Sequence, residues 1–239
     1  MPGESVRAKN VRGNALPSGD VRGKGAARKN YVAIEGVIGV GKTTLAGLLA
    51  KKWEAHLKLE VVEDNPFLAQ FYADMRGYAF QTQLFFLLSR HKQQLELRQY
   101  DLFMERVVSD YLFAKDRIFA NITLDDNELA LYKRLADLLE RDVPKPDVVV
   151  YLQGSVDVLM ERIRKRGRDF ERDISRDYIS TLAEAYNYFF FHYKDTPLIV
   201  VNTNEIDFVE NTADFEELAR EIEEHERGTA YYVPIGARR

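Results

Sequence analysis

Residues 31–44 read YVAIEGVIGVGKTT, and this segment carries the strongest indication of the fold. A short apolar strand leads into a glycine-rich turn that matches the pattern G-x-x-x-x-G-K-[ST] from Gly36 to Thr43. Glycines in such a turn let backbone N–H groups curl around phosphate oxygens, and the N-terminus of the following helix favours an anion. The segment therefore predicts a nucleoside-triphosphate site between a buried strand and a helix.

Within this loop, Lys42 is expected to contact the β- and γ-phosphates, and the Thr43 hydroxyl is expected to bind Mg²⁺. The motif does not identify the reaction, because GTPases, motor ATPases and small-molecule kinases all contain it. The expected phosphate contacts are Gly36, Val37, Ile38, Gly39, Val40, Gly41, Lys42, Thr43 and Thr44.

Strand and helix patterns alternate from Tyr31 onward, which is typical of a parallel sheet with helices on both faces. We expect a P-loop NTPase-type α/β protein with three layers (α/β/α), a five-stranded parallel sheet and a basic lid. Residues 31–228 are expected to form this single domain. Residues 1–30 contain many basic and small side chains and few large apolar ones, a composition that indicates a disordered tail. Residues 229–239 are expected to form a C-terminal tail.

Composition excludes several classes of protein. The chain has 239 residues, a net charge of −4 and no cysteine, so disulfides, thiolate zinc sites and cysteine nucleophiles are ruled out. No apolar run reaches the roughly 18 residues that a membrane span needs, and the N-terminus lacks the apolar core of a secretory signal. We therefore expect a cytoplasmic protein without a membrane partner.

Acidic residues follow two of the predicted strands. Asp110 comes directly after the strand at 106–109, so it should lie beside the phosphate loop, where it could hold magnesium and orient an incoming hydroxyl. Glu60 and Glu63 lie at the end of the strand predicted near 57–62, where a carboxylate could take a proton from that hydroxyl. A solvated strand end is the alternative for these two glutamates.

Arginines cluster in the segment RIRKRGR, residues 162–168. Arg162 and Arg166 are four residues apart and share one helix face, and Arg168 follows a glycine that could act as a hinge. Such a cluster suits a lid that closes over a triphosphate and stabilises charge during transfer, although an exposed basic helix face is the alternative. A lid with its own arginines favours a kinase over a GTPase.

With these motifs the chain resembles the deoxyribonucleoside kinase family, most closely its bacterial deoxyadenosine/deoxyguanosine kinase branch. The resemblance covers roughly residues 31–208 and depends on several separate motifs. These motifs are the phosphate loop, the segment Asn65–Leu68 with Phe71-Tyr72, the run Tyr78–Gln83 through Arg90, and the six-residue spacing of Asp110 and Asp116.

The resemblance implies the substrates, the assembly and the roles of further residues. It implies Mg-ATP as phosphoryl donor, a deoxynucleoside as acceptor and a homodimer as the assembly. It also favours Glu60 over Glu63 as the base. One departure is Tyr111, because family members often have arginine directly after the first acid. The implied contacts are Tyr72 and Glu171 to the sugar 3′-hydroxyl, Asp116 to Arg90 near the base, Arg168 to the phosphates, and Asp207 with Phe208 to the ATP adenine.

The resemblance implies that the run from Tyr78 to Arg90 belongs to the helix that recognises the base, and helix geometry chooses between its two glutamines. Gln83 and Arg90 are seven residues apart and fall on one face of a helix, whereas Gln81 and Arg90 are nine apart and fall on opposite faces. We therefore predict that Gln83 contacts the Watson–Crick edge of the base, with Arg90 beside it.

These inferences combine into transfer of phosphoryl from Mg-ATP to the 5′-hydroxyl of a deoxynucleoside, with a purine preferred. Three alternatives stay open: a nucleoside-monophosphate kinase resembling thymidylate kinase, a non-catalytic interaction protein of the same fold, and a nucleic-acid-stimulated ATPase that uses the basic tail. The catalytic residues in the leading interpretation are Glu60, Asp110, Arg162 and Arg166.

Overall fold

The computed structural model describes residues 29–62, 64–102, 106–204 and 206–233. Residues 1–28 of the tail predicted at 1–30 and the alternative base Glu63 lie outside these residues. The strands are β1 (Tyr31–Gly36), β2 (His56–Lys58), β3 (Val107–Ser109), β4 (Val148–Gln153), β5 (Leu198–Asn202) and β6 (Thr229–Tyr232). The α-helices are α1 (Lys42–Trp53), α2 (Leu68–Ala73), α3 (Met75–Leu102), α4 (Asp116–Thr123), α5 (Asp126–Glu140), α6 (Val156–Arg166), α7 (Arg176–His192) and α8 (Thr212–Glu224).

Within the described residues the sheet has six parallel strands in the order β2-β3-β1-β4-β5-β6. The sequence predicted five, and this count is wrong, because Thr229–Tyr232 pairs with β5 as an edge strand. Only Tyr232 is buried in that short segment while Tyr231 is largely exposed, so its apolar pattern is too brief to read from sequence. The predicted C-terminal tail at 229–239 therefore begins with a strand.

The centre of the three-layer fold is a continuous apolar core around β1, β4 and β5. Almost every residue of these strands is buried, which is typical of parallel strands covered on both faces. Serine or asparagine side chains cap the N-termini of three helices, at Ser155, Ser175 and Asn211, and Asp125 forms a capping box on α5. No helix in the described part of the chain is long and apolar enough to cross a membrane.

The buried carboxylate of Glu35 connects two neighbouring strand ends. Its Oε2 accepts from the backbone N–H of Leu112 at 2.8 Å, and its Oε1 accepts from that of Gly36 at 2.9 Å. The Tyr186 hydroxyl donates to the same Oε1 at 3.2 Å. These bonds hold the segment after β3 against the start of the phosphate loop, because an unpaired buried carboxylate would be costly.

Candidate active site

A cavity of about 900 Å³ opens at the carboxyl ends of β1 and β3. It joins the phosphate loop to the face of α3 that carries Gln83 and Arg90 (the acceptor face), as expected for a ligand site in a parallel α/β sheet. The predicted site residues that line it are Ile38, Gly39, Val40, Gly41, Lys42, Thr43, Thr44, Glu60, Tyr72, Gln83, Arg90, Asp110, Arg162, Arg166, Arg168, Glu171, Asp207 and Phe208.

The phosphate loop leaves β1 at Gly36, whose φ of 153° and close approach to the Leu152 carbonyl leave no room for a side chain. Gly36 and Val37 are absent from the described residues that line the cavity, and their carbonyls accept hydrogen bonds from Lys42 Nζ at 2.7 and 3.2 Å. The ammonium is therefore held over its own loop, where phosphates would bind. The pKa of Lys42 is lowered to about 8, mainly by burial and to a smaller extent by the charge of Lys115, against the opposing effect of nearby carboxylates.

The two predicted magnesium ligands lie side by side. Thr43 Oγ1 donates to Asp110 Oδ2 at 2.6 Å, and Asp110 Oδ1 accepts from the backbone N–H of Glu60 at 2.7 Å. A hydroxyl and one carboxylate at the mouth of a phosphate loop fit Mg²⁺, which keeps waters and takes its other ligands from phosphates. The described residues contain no group of three or more His, Cys, Asp or Glu that could hold a metal without such help.

Glu60 lies between two cations in the extended segment after β2. Its Oε1 accepts from Arg90 through Nε, at 2.9 Å, and through Nη2, while its Oε2 accepts from Lys115 Nζ at 2.5 Å. Burial raises the pKa of the Glu60 carboxyl, but the charges of Arg90 and Lys115 outweigh burial and hold it well below its usual range. The carboxylate is therefore ionised at neutral pH, which is the form that can accept a proton.

The structure separates the two glutamines that the sequence offered for base recognition. Gln83 is buried and lines the cavity beside Arg90, whereas Gln81 is exposed. The Arg90 guanidinium lies 4.7 Å from the centre of the Phe86 ring and forms an ion pair with Asp116. Asp116 is only 1% exposed and is absent from the described residues that line the cavity, so it reaches the acceptor face through Arg90.

The lid arginines are paired within the site. Arg162 Nη1 donates to the carbonyl of Val40 in the phosphate loop, at 2.9 Å. Arg166 donates through Nε to Glu171 Oε2 at 3.1 Å, and Arg168 lies 3.8 Å from the same carboxylate. The φ of 65° at Gly167, which ends α6, lets the chain turn so that these arginines face one cavity.

Aromatic rings and a turn complete the two ends of the cavity. Tyr72 stacks on Phe170 with ring centres 6.4 Å apart and planes tilted by 11°, beside Glu171. At the opposite end, the Asp207 carboxylate caps a turn through the backbone N–H of Val209, at 3.0 Å. The Phe208 ring packs near Gly41 of the phosphate loop, and both Asp207 and Phe208 line the cavity there, while their contact with the adenine stays a prediction.

Sequence reasoning missed Lys115, which lines the cavity and contacts Glu60. Its place depends on a 3₁₀ turn, Phe113–Lys115, that brings the side chain back toward β2, and no motif spacing indicates this. Tyr111, which stands where family members often have arginine, is fully buried next to Gln94 and does not line the cavity.

The chain is similar to several known proteins over most of its length. A family model for deoxynucleoside kinases matches residues 32–226. The chain is 38% identical to a deoxyguanosine kinase of Bacillus subtilis, over 81% of this chain and 96% of that protein. It is 31% identical to a deoxyadenosine kinase of Lactobacillus acidophilus, over 81% of this chain and 94% of that one. The structure of deoxyadenosine kinase from M. mycoides with bound dATP superimposes with a TM-score of 0.70 at 28% identity, covering 80% and 97% of the two chains.

Proposed function

The chain belongs to the deoxynucleoside kinase family, and on that premise we propose that it transfers the γ-phosphoryl group of ATP to the 5′-hydroxyl of a purine deoxyribonucleoside. The observation that carries the proposal is one cavity lined at one end by the phosphate loop and at the other by Gln83 and Arg90, with Glu60 between them. The relatives named for deoxyguanosine and deoxyadenosine support a purine acceptor.

In the proposed reaction the acceptor lies with its base against Gln83 and Arg90 and its 3′-hydroxyl near Tyr72 and Glu171. The 5′-hydroxyl gives its proton to Glu60, its oxygen bonds to the γ-phosphorus, and the bond from that phosphorus to the bridging oxygen of ADP breaks. Such a base contributes typically about 10²–10⁴-fold to the rate.

The end of the cavity at the phosphate loop binds the ATP phosphates and stabilises their negative charge. The loop N–H groups and Lys42 bind the phosphates, and Arg162 and Arg166 of the lid stabilise the charge that develops during transfer. Mg²⁺ held by Thr43 and Asp110 would neutralise phosphate charge when bound.

The proposal is tested by measuring ADP release and nucleotide products with ATP and each of the four deoxynucleosides. We expect 5′-monophosphates from deoxyguanosine or deoxyadenosine, with Lys42→Met reducing turnover to background. A protein that is folded and binds ATP, but forms no nucleotide from any deoxynucleoside, contradicts the proposal.

We also propose that the assembly is a homodimer formed through α3 and α5, which pack against each other. Leu88 and Leu95 on α3 are 52% and 39% exposed and seven residues apart. Leu131 and Leu138 on α5 are 50% and 56% exposed with the same spacing. Leucines seven apart lie on one helix face, so each helix presents an apolar stripe suited to a second copy of this chain.

Sedimentation of the wild type and of the variant Leu131→Glu/Leu138→Glu tests this assembly. We expect a dimer for the wild type and a monomer for the variant, while Val209→Glu, at another exposed position, stays dimeric. A monomeric wild type at micromolar concentration contradicts the dimer without affecting the proposed reaction.

A further inference from the structure

Lys115 is a buried ammonium at the centre of the site. The residue is 4% exposed, it ends the 3₁₀ turn before α4, and its Nζ lies 2.5 Å from Glu60 Oε2. Lysine is rarely buried unless its charge is paired, and Lys115 is paired with Glu60. It also lines the ligand cavity, where a residue with a purely structural role is not expected to place its charge.

The turn that carries Lys115 is fixed from both sides. The Leu112 N–H is bound by the buried Glu35 carboxylate at 2.8 Å, and the Lys115 N–H donates to the Leu112 carbonyl at 3.1 Å. The neighbour of Asp110 in sequence, Tyr111, is buried away from the cavity. The cation that faces Glu60 from this segment is therefore Lys115, five residues after Asp110.

The charges around Glu60 leave Lys115 able to contact a substrate. Arg90 is shared between the carboxylates of Glu60 and Asp116, whereas the ion pair of Lys115 is with Glu60. An ammonium has three N–H donors, and one of them satisfies Glu60. The other two can donate to an oxygen in the cavity while the contact with Glu60 is kept.

Lys115 also faces the phosphate loop. Its positive charge is one of the causes that lower the pKa of Lys42, so the two ammonium groups repel each other across the cavity. Both line that cavity, one on the donor side and one on the acceptor side. An anionic phosphoryl group between them would relieve this repulsion, and Coulomb attraction is strong where water is excluded.

We propose that Lys115 is a catalytic residue that donates hydrogen bonds to the transferring phosphoryl group from the acceptor side. This inference builds on the proposed function. Lys115 stays protonated throughout: the proton of the 5′-hydroxyl goes to Glu60, and the ammonium stabilises the negative charge on the equatorial oxygens of the phosphoryl group.

The test compares kcat and KM for Lys115→Met with the wild type. Loss of a preorganised donor typically costs about 10²–10³-fold in kcat, and we expect that loss with the KM values for ATP and nucleoside unchanged. Lys52→Met is the matched control, because it removes an exposed ion pair with Glu216 and should leave kcat at the wild-type value. Lys115→Arg, which keeps the charge, should recover part of the rate.

Chemical rescue separates a cation from a structural contact. Ethylammonium added to Lys115→Ala should restore part of kcat, and 1-propanol, which is similar in size but uncharged, should not. Unchanged kcat in Lys115→Met, or equal rescue by the alcohol, overturns the inference. If Lys115→Met does not fold, Lys115→Gln replaces it: the amide can still donate to Glu60, and the same loss of kcat is expected because its charge is gone. A wild type without any transfer would contradict the proposed function instead.

Discussion

The variant Asp116→Asn removes one of the two carboxylates that pair with the buried side chain of Arg90. The side chains of Arg90 and Asp116 are 4% and 2% exposed, and breaking such a pair typically costs about 3–5 kcal/mol. Since Arg90 keeps its bonds to Glu60, we expect the low end, about 3 kcal/mol. For a domain of this size that loss lowers the melting temperature by about 6–12 °C.

Asp137→Asn is the matched control, because Arg117 also has two carboxylate partners, Asp137 and Glu140. The Asp137 side chain is 62% exposed and that of Arg117 is 30% exposed, so removing this carboxylate should cost about 0–1 kcal/mol. Thermal and urea unfolding of both variants measure the difference. Because Asp116 orients Arg90 on the acceptor face, Asp116→Asn should also raise KM for the nucleoside and leave KM for ATP unchanged. Equal stability of the two variants would refute the argument from burial.

Further outcomes concern the phosphate loop, the metal and the sugar contacts. Because the pKa of Lys42 is lowered to about 8, its charge is lost as pH rises through that value. ATP affinity measured by calorimetry should therefore fall between about pH 7 and 9.5. The variant Lys42→Arg stays protonated over this range and should show a flatter dependence of affinity on pH. An ATP affinity of the wild type that does not change with pH contradicts this role of the Lys42 charge. Thr43→Ala should raise the Mg²⁺ concentration needed for half-maximal turnover, whereas Thr212→Ala on α8 should not; equal requirements would remove Thr43 from the metal site. If Tyr72 contacts the 3′-hydroxyl, Tyr72→Phe should reduce the preference for a 2′-deoxynucleoside over its 2′,3′-dideoxy analogue, and an unchanged ratio of kcat/KM values rules the contact out.

The parts of the site that sequence could predict are those fixed by local spacing. The loop at 36–44 encodes its own backbone path, and a seven-residue helical interval was enough to choose Gln83 over Gln81. Asp110 follows because strand ends share one edge of a parallel sheet.

Other features depend on distant parts of the chain. The turn that carries Lys115 toward Glu60 is held at Leu112, whose N–H donates to Glu35, a residue 77 positions earlier in the sequence. Strand β6 exists because the edge of β5 accepts a four-residue segment that is too short to show periodicity. Asp116 lies behind Arg90, and its distance from the cavity depends on the packing of α4 on α3.

A competition experiment decides whether the cavity takes a bare nucleoside as acceptor. The protein is supplied with γ-³²P-labelled ATP and equal concentrations of deoxyguanosine, deoxyadenosine and their 5′-monophosphates, and the labelled products are separated. We predict label in the deoxynucleoside 5′-monophosphates and none after the 5′-deoxy analogues replace the nucleosides. Label in the diphosphates, or in no nucleotide product, would contradict transfer to the 5′-hydroxyl.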